Sequence, residues 1–194
     1  MYLHGNVTRA RTTLLFGLAL ASCSPVASFR PAAGLMPERR LEAGLGTVLV
    51  SKRPYVEESS SNAGQAWLSG NVAPRLALTG IAVFDDDAVA AGLAARVTPL
   101  LYDRFAAGIE QELGYAWFAL SVPVSVRLFD QTWLYTAPRF GTWGVELYGG
   151  LPVGLSVRVY DGLMLRAEWQ RSWQDFMYYN RRDHYGLAVA HQFP

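Results

Sequence analysis

Alternation with a period of two runs through much of this chain, and it limits sharply what the chain can fold into. From Gly144 to Tyr160, residues Val145, Leu147, Gly149, Leu151, Val153, Leu155, Val157 and Val159 share one face of an extended backbone. Glu146, Tyr148, Gly150, Ser156 and Arg158 share the other. Leu163, Leu165, Ala167 and Trp169 alternate in the same way with Met164, Arg166, Glu168 and Gln170. A third apolar row, Phe118, Leu120, Val122, Val124, Val126 and Leu128, faces away from Ser121, Ser125 and Arg127. A helix would scatter Arg166 and Glu168 among apolar neighbours, whereas a strand separates them cleanly.

Composition agrees with β structure. The 194 residues include 6 Trp, 10 Tyr and 9 Phe, side chains that fit a pleated surface, and 18 Gly, which suit turns and close backbone approaches. Hydrophobic residues make up 51% and the net charge is +1. That balance excludes the disordered class, and it gives no electrostatic case for nucleic acid. The length suits one domain. Cys23 is the single cysteine, so neither an internal disulfide nor a cysteine zinc site can form.

Turns recur between the alternating runs. Tyr102-Asp103-Arg104, Phe129-Asp130-Gln131 and Tyr160-Asp161-Gly162 each join an aromatic, an Asp and a polar residue or Gly. Ala73-Pro74-Arg75 reads as a fourth short turn. The opposite connections read as longer and more polar: Arg53 to Ala63, Asp85-Asp86-Asp87, Gly114 to Ala116, Arg139 to Thr142 and Trp173 to Asp183. Between them lie ten expected strands, near 41–51, 64–73, 75–84, 88–102, 104–113, 117–129, 131–139, 144–160, 163–172 and 184–193. Facing is ambiguous over 75–84, where Leu76, Leu78, Ala82 and Phe84 alternate with Ile81 and Val83. Eight strands, with 41–73 as a plug or extension, is the alternative. The expected fold is all-β: a closed antiparallel transmembrane barrel, with short turns at one end and longer loops at the other.

Two features favour a barrel with its apolar face outward. The polar face carries charge on neighbouring strands, at Glu110, Glu112, Arg127, Glu146, Arg158, Arg166 and Glu168, with small residues such as Gly108, Ser125 and Gly150 beside them. That mixture suits a narrow lumen crossed by ion pairs. Aromatics also gather at strand ends: Tyr102, Phe129, Trp133 and Tyr160 near the short turns, and Trp117, Phe118, Phe140, Trp143, Trp169 and Trp173 near the longer loops. Two such girdles belong at the two lipid–water interfaces.

The termini carry resemblances. Leu14 to Ala21 form a short apolar run after Arg9 and Arg11, ending in Leu20-Ala21-Ser22-Cys23. This segment is a secretory signal in form, too short for a membrane helix, and it resembles the lipobox of bacterial lipoproteins. The resemblance implies cleavage before Cys23 and lipidation of that residue; an ordinary signal peptide cut nearby is the alternative. Residues 1–22 are then a signal peptide, 23–40, with Pro25, Pro31 and Pro37, a Pro/Ala-rich tether, and 41–194 the barrel. At the other end, Tyr185, Leu187, Val189 and Phe193 resemble the closing strand of outer-membrane β-barrels, which the assembly machinery recognises. Pro194 after the terminal aromatic and His191 at an outward position depart from that pattern.

No motif for catalysis or metal binding stands out, so no catalytic residue, metal or cofactor is assigned. His4, His184 and His191 are the only histidines. The resemblance to outer-membrane lipid A deacylases fails, because Tyr185-Gly186 stands where a Ser is required after His184. An acidic rim of Asp85, Asp86, Asp87, Asp183 and His184 could hold a water in the manner of outer-membrane aspartyl-type proteases, although a solvated turn accounts for the Asp run more simply. The segment from Arg171 to Arg182 mixes Arg with aromatics and could meet lipopolysaccharide phosphate; interface anchoring is the simpler reading. The expected role is that of a small Gram-negative outer-membrane barrel with a structural or binding function. Its expected partners are outer-membrane lipids, lipopolysaccharide and the barrel-assembly machinery. A narrow channel for small or apolar solutes comes second, and a rim-located hydrolase third.

Overall fold

A computed structural model describes residues 29–30, 40–51, 61–85, 88–115, 117–143, 146–174 and 181–194. All regular structure in it is extended. The segments are β1 (Leu41–Val50), β2 (Ser61–Ala73), β3 (Leu76–Asp85), β4 (Ala88–Leu101), β5 (Phe105–Gly114), β6 (Trp117–Ser121), β7 (Val124–Phe129), β8 (Thr132–Thr136), β9 (Arg139–Trp143), β10 (Glu146–Tyr160), β11 (Leu163–Gln174) and β12 (Arg181–Phe193). Every pairing is antiparallel, and β1 pairs with β12, so the sheet closes on itself. The signal peptide and Cys23 lie outside the described residues.

Twelve segments make ten staves. Pro123 and Pro138 have no N–H to give to a ladder, and each interrupts a strand for two residues. Register passes through both gaps without slip: Ser121 stands opposite Arg139 on one side, Val124 opposite Thr136 on the other. The interruption is stitched by Val122 N–H donating to the Pro138 carbonyl (3.0 Å) and Gly108 N–H donating to the Pro123 carbonyl (2.9 Å). Thus β6 with β7 is one stave, and β8 with β9 another. The expected count of ten holds, and β1 and β2 are wall, not plug.

The four expected short turns are all present at one end, with both barrel termini beside them. Each follows a register shift, at Asn71/Ala73, Val97/Leu100, Arg127/Phe129 and Arg158/Tyr160. Such bulges increase local twist where strands must turn back on themselves. Gly162 closes one turn at φ +72°, a conformation that glycine adopts without steric cost. At the other end the expectation of long loops is corrected. Arg139 to Thr142 is strand, and only the pairs 86–87, 115–116 and 144–145 separate three of the five hairpins. Length asymmetry rests on 51–60 and 175–180 alone.

Faces alternate as the period demands. Leu45, Leu155, Leu165, Leu187 and Val189 point outward and are exposed, while Ser156, Arg166, Glu168 and Gln170 point inward and are buried. A closed sheet is what lipid requires, since a spanning backbone finds hydrogen-bond partners only within itself. Tyr102, Phe129 and Tyr160 are outside at the short-turn end, and Phe140 is outside towards the other. Two members of the expected girdles belong elsewhere. Trp117 is 4% exposed and turns inward against Gly92 and Gly114. Trp133 shares the inward parity of Tyr135, beneath the Arg127 guanidinium at 4.8 Å from its ring centre. The side chain of Trp143 lies outside the described residues.

Candidate functional site: the barrel lumen

The inward positions of the wall build two ion-pair clusters, and Phe29 and Arg30 join them. In the first, the Glu42 carboxylate at the start of β1 accepts four hydrogen bonds. Arg166 of β11 grips it with both terminal nitrogens (2.8 and 2.7 Å), Trp67 Nε1 of β2 donates at 2.9 Å and Gln192 Nε2 of β12 at 2.8 Å. A planar guanidinium matches a carboxylate in this forked way, and the bonds are charge-assisted. Arg166 Nε also reaches the Ser156 hydroxyl at 3.3 Å.

The second cluster lies across the lumen on β4, β5 and β9. Arg96 binds Glu110 through Nη2 (2.6 Å) and Nε (2.8 Å). Arg139 stands 3.9 Å from Glu112. The Arg30 guanidinium is shared between Glu110, at 3.2 Å, and Glu112, to which it donates directly. All these side chains are almost wholly removed from solvent. Buried charges persist only when paired and hydrogen-bonded, so the reciprocal pattern is the condition for having them there.

Phe29 and Arg30 cross between the clusters. Phe29 N–H donates to Glu168 Oε2 at 2.8 Å, an oxygen that also accepts the Tyr135 hydroxyl at 3.0 Å. Arg166 Nη1 donates to the Phe29 carbonyl at 2.7 Å, and Arg96 Nη2 to the Arg30 carbonyl at 3.3 Å. The Phe29 ring stacks on Trp67, centroids 6.0 Å apart, and lies over Gly46 and Gly186. A Cβ added at either glycine would come within 2.7 or 2.4 Å of the ring, so the seat depends on their bare backbones. Phe29 is fully buried, at 0% exposure.

The sequence-derived lumen residues sort as follows. Glu110, Glu112, Arg166 and Glu168 enter the clusters. Arg127 and Arg158 face inward and sit half-buried by the short turns. The Glu146 side chain lies outside the described residues. Sequence reasoning missed Glu42, Arg96, Arg139 and Arg30. Glu42 and Arg96 share the parity of small inward neighbours, Gly44 and Gly46 for one and Ala94 for the other, and that signal was available. Arg139 stands in the stretch Arg139 to Thr142, which the sequence reads as a connection and the structure makes strand.

The lumen is not charged throughout. Val48, Val50, Ala63, Ile81, Val83, Ala94 and Trp117 form a buried apolar sector with Phe29. This settles the facing of β3: Ile81 and Val83 point in, while Leu78 is exposed outside.

Among the described rim residues, Asp183 and His184 do not come together. His184 is fully buried and faces inward, its Nε2 2.6 Å from the Ser172 hydroxyl. Asp183 faces the other way, held by Arg171 at 2.9 and 3.1 Å. Neighbours on a strand point to opposite faces, so this Asp and His cannot act on one water. The side chain of Asp85, and Asp86 and Asp87 entirely, lie outside the described residues. Tyr185, Leu187, Val189 and Phe193 all face outward, with His191 edge-on to Phe193 at 4.6 Å.

No protein-family model matches the sequence. No curated protein matches it either. Several solved structures align with most of the chain. A KdgM porin bound to disordered oligogalacturonate aligns over 79% of this chain and 99% of its own, at 8% identity and a TM-score of 0.49. Ail, the attachment invasion locus protein of Yersinia pestis, aligns over 79% and 97%, at 8% identity and a TM-score of 0.38. Neisserial surface protein A aligns over 79% and 96%, at 11% identity and a TM-score of 0.38. The class is that of a small closed antiparallel β-barrel, apolar outside and ion-paired within.

Proposed function

We propose that this chain is an outer-membrane barrel whose resting lumen is shut, and that its role is structural or binding, carried by its outer surface and rims. The observation that supports this reading most strongly is the inversion of polarity. Leucines and valines cover the exterior, while Glu42, Glu110, Glu112, Arg96 and Arg166 are buried inside. A soluble barrel would present the opposite arrangement. Barrels of about eight strands fill their interior and those of 16 or more leave a channel, so ten staves fall near the filled end.

Further parts of the proposal follow from sequence. Residues 1–22 direct export and Cys23 receives lipid. The outward row Tyr185, Leu187, Val189 and Phe193 is offered to the assembly machinery, and the exterior meets outer-membrane lipids and lipopolysaccharide. The test is fractionation of the expressed protein, followed by gel mobility with and without boiling and by bilayer conductance of the purified protein. Sedimentation with outer membranes, heat-modifiable mobility and a silent bilayer are expected. A soluble, heat-indifferent protein would overturn the reading.

A further inference from the structure

We propose that Phe29 and Arg30 form a releasable stopper, and that withdrawing them converts the shut barrel into a conducting one. The inference rests on the outer-membrane reading above and adds an activity to it.

The dipeptide is not part of the wall. The sheet closes through β1 and β12 without it, and it joins no ladder. It nevertheless spans the lumen, from Gly46 and Gly186 on the β1–β12 side to Glu110 and Glu112 on β5. A segment that lies across the hollow and holds both sides obstructs it.

Wall groups that touch the dipeptide each keep a second partner when it leaves. Arg166 retains Glu42, and Arg96 retains Glu110. Glu168 retains the Tyr135 hydroxyl, and Glu112 retains Arg139 at 3.9 Å. Withdrawal therefore leaves no wall charge stranded, and the barrel has no electrostatic reason to collapse onto the gap. What remains exposed is a polar belt suited to water and small ions.

The seated state also holds strain. Phe29 has φ +46°, in the left-handed region that a residue with a bulky side chain rarely enters. Hydrogen bonds to both its N–H and its carbonyl fix that conformation. Loosening either relieves the backbone.

The experiment is single-channel recording of the purified full-length protein in planar bilayers. Wild type is expected to be silent. The Phe29→Ala/Arg30→Ala double variant and Arg30→Glu, which places a carboxylate against Glu110 and Glu112, are expected to show discrete conductance steps. Gly186→Leu fills the seat from the wall side and is expected to do the same without altering the dipeptide. Arg171→Ala, at the exposed rim, is expected to stay silent. Heat-modifiable mobility reports that each variant is folded; should the double variant not fold, Arg30→Gln, which removes the charge and keeps the bulk, takes its place. Folded stopper variants as silent as wild type would overturn the inference and leave the outer-membrane reading standing. A wild type that conducts as freely as the variants would overturn it as well. Failure to fractionate with outer membranes would instead remove the reading beneath it.

Discussion

Two sectors of the same lumen wall are built by opposite means. On β5, β9 and β11, with the starts of β1 and the middle of β4, inward positions carry Glu110, Glu112, Arg139, Arg166, Glu168, Glu42 and Arg96. On β1 to β4 further from the short turns they carry Val48, Val50, Ala63, Ile81, Val83 and Ala94. Both sectors face the same interior and both are buried. The first is held by directional, charge-assisted bonds between specific partners. The second is held by packing, which degrades by degrees. An inward face in such a barrel is defined by parity with its neighbours and not by polarity.

Substitutions sharpen this contrast. Arg166→Ala removes the forked grip on Glu42 and leaves a buried carboxylate with only neutral donors; breaking such a pair costs about 3–5 kcal/mol. Urea unfolding in lipid vesicles should show a loss of that size, and a loss no larger than for a surface pair would break the charged half of the comparison. Leu155→Arg, near the middle of β10 on the exterior, should cost about 2–4 kcal/mol if that face meets lipid. The same unfolding measurement, repeated in vesicles, would show little change if the position were watery. Ile81→Val trims one methylene from the apolar sector and should cost about 0.5–1.5 kcal/mol, as ordinary core packing does. A neutral result there would mean that Ile81 is not packed in the interior. Arg171→Ala breaks an exposed ion pair with Asp183 and should not shift the unfolding midpoint measurably.

Legibility in the sequence followed the same division. On β10 and β11 the interior is polar and the exterior apolar, so alternation gave strand, face and lumen residues together. On β3 both surfaces are apolar, and Ile81 against Leu78 carries no sign of which is inside. The ion-pair partners were partly legible for a related reason. Glu110 and Glu112 stand beside exposed Ile109 and Leu113 and are easy to place. Glu42 lies on a strand whose two faces both become apolar by Leu49 and Val50, which dilutes its signal. Arg139 to Thr142 reads as a connection in the sequence, yet it is strand, and the Pro138 carbonyl accepts from Val122 N–H to keep the stave continuous. Phe29 and Arg30 could not have been read. They belong to a proline-rich stretch with no period, and their place depends on hydrogen bonds with residues 66 to 139 positions distant. Trp117 and Trp133 show that an aromatic near a strand end is an interface anchor only if its parity is outward.

The central claim is the inverted wall, and the most direct test is magnetisation transfer from lipid acyl chains to protein methyl groups in nanodiscs. Leu155, Leu165, Leu187 and Leu78 are expected to give lipid contacts, while Val48, Ile81 and Val83 give none. Lipid contacts at Ile81 and Val83 with silence at Leu155 and Leu165 would contradict the account.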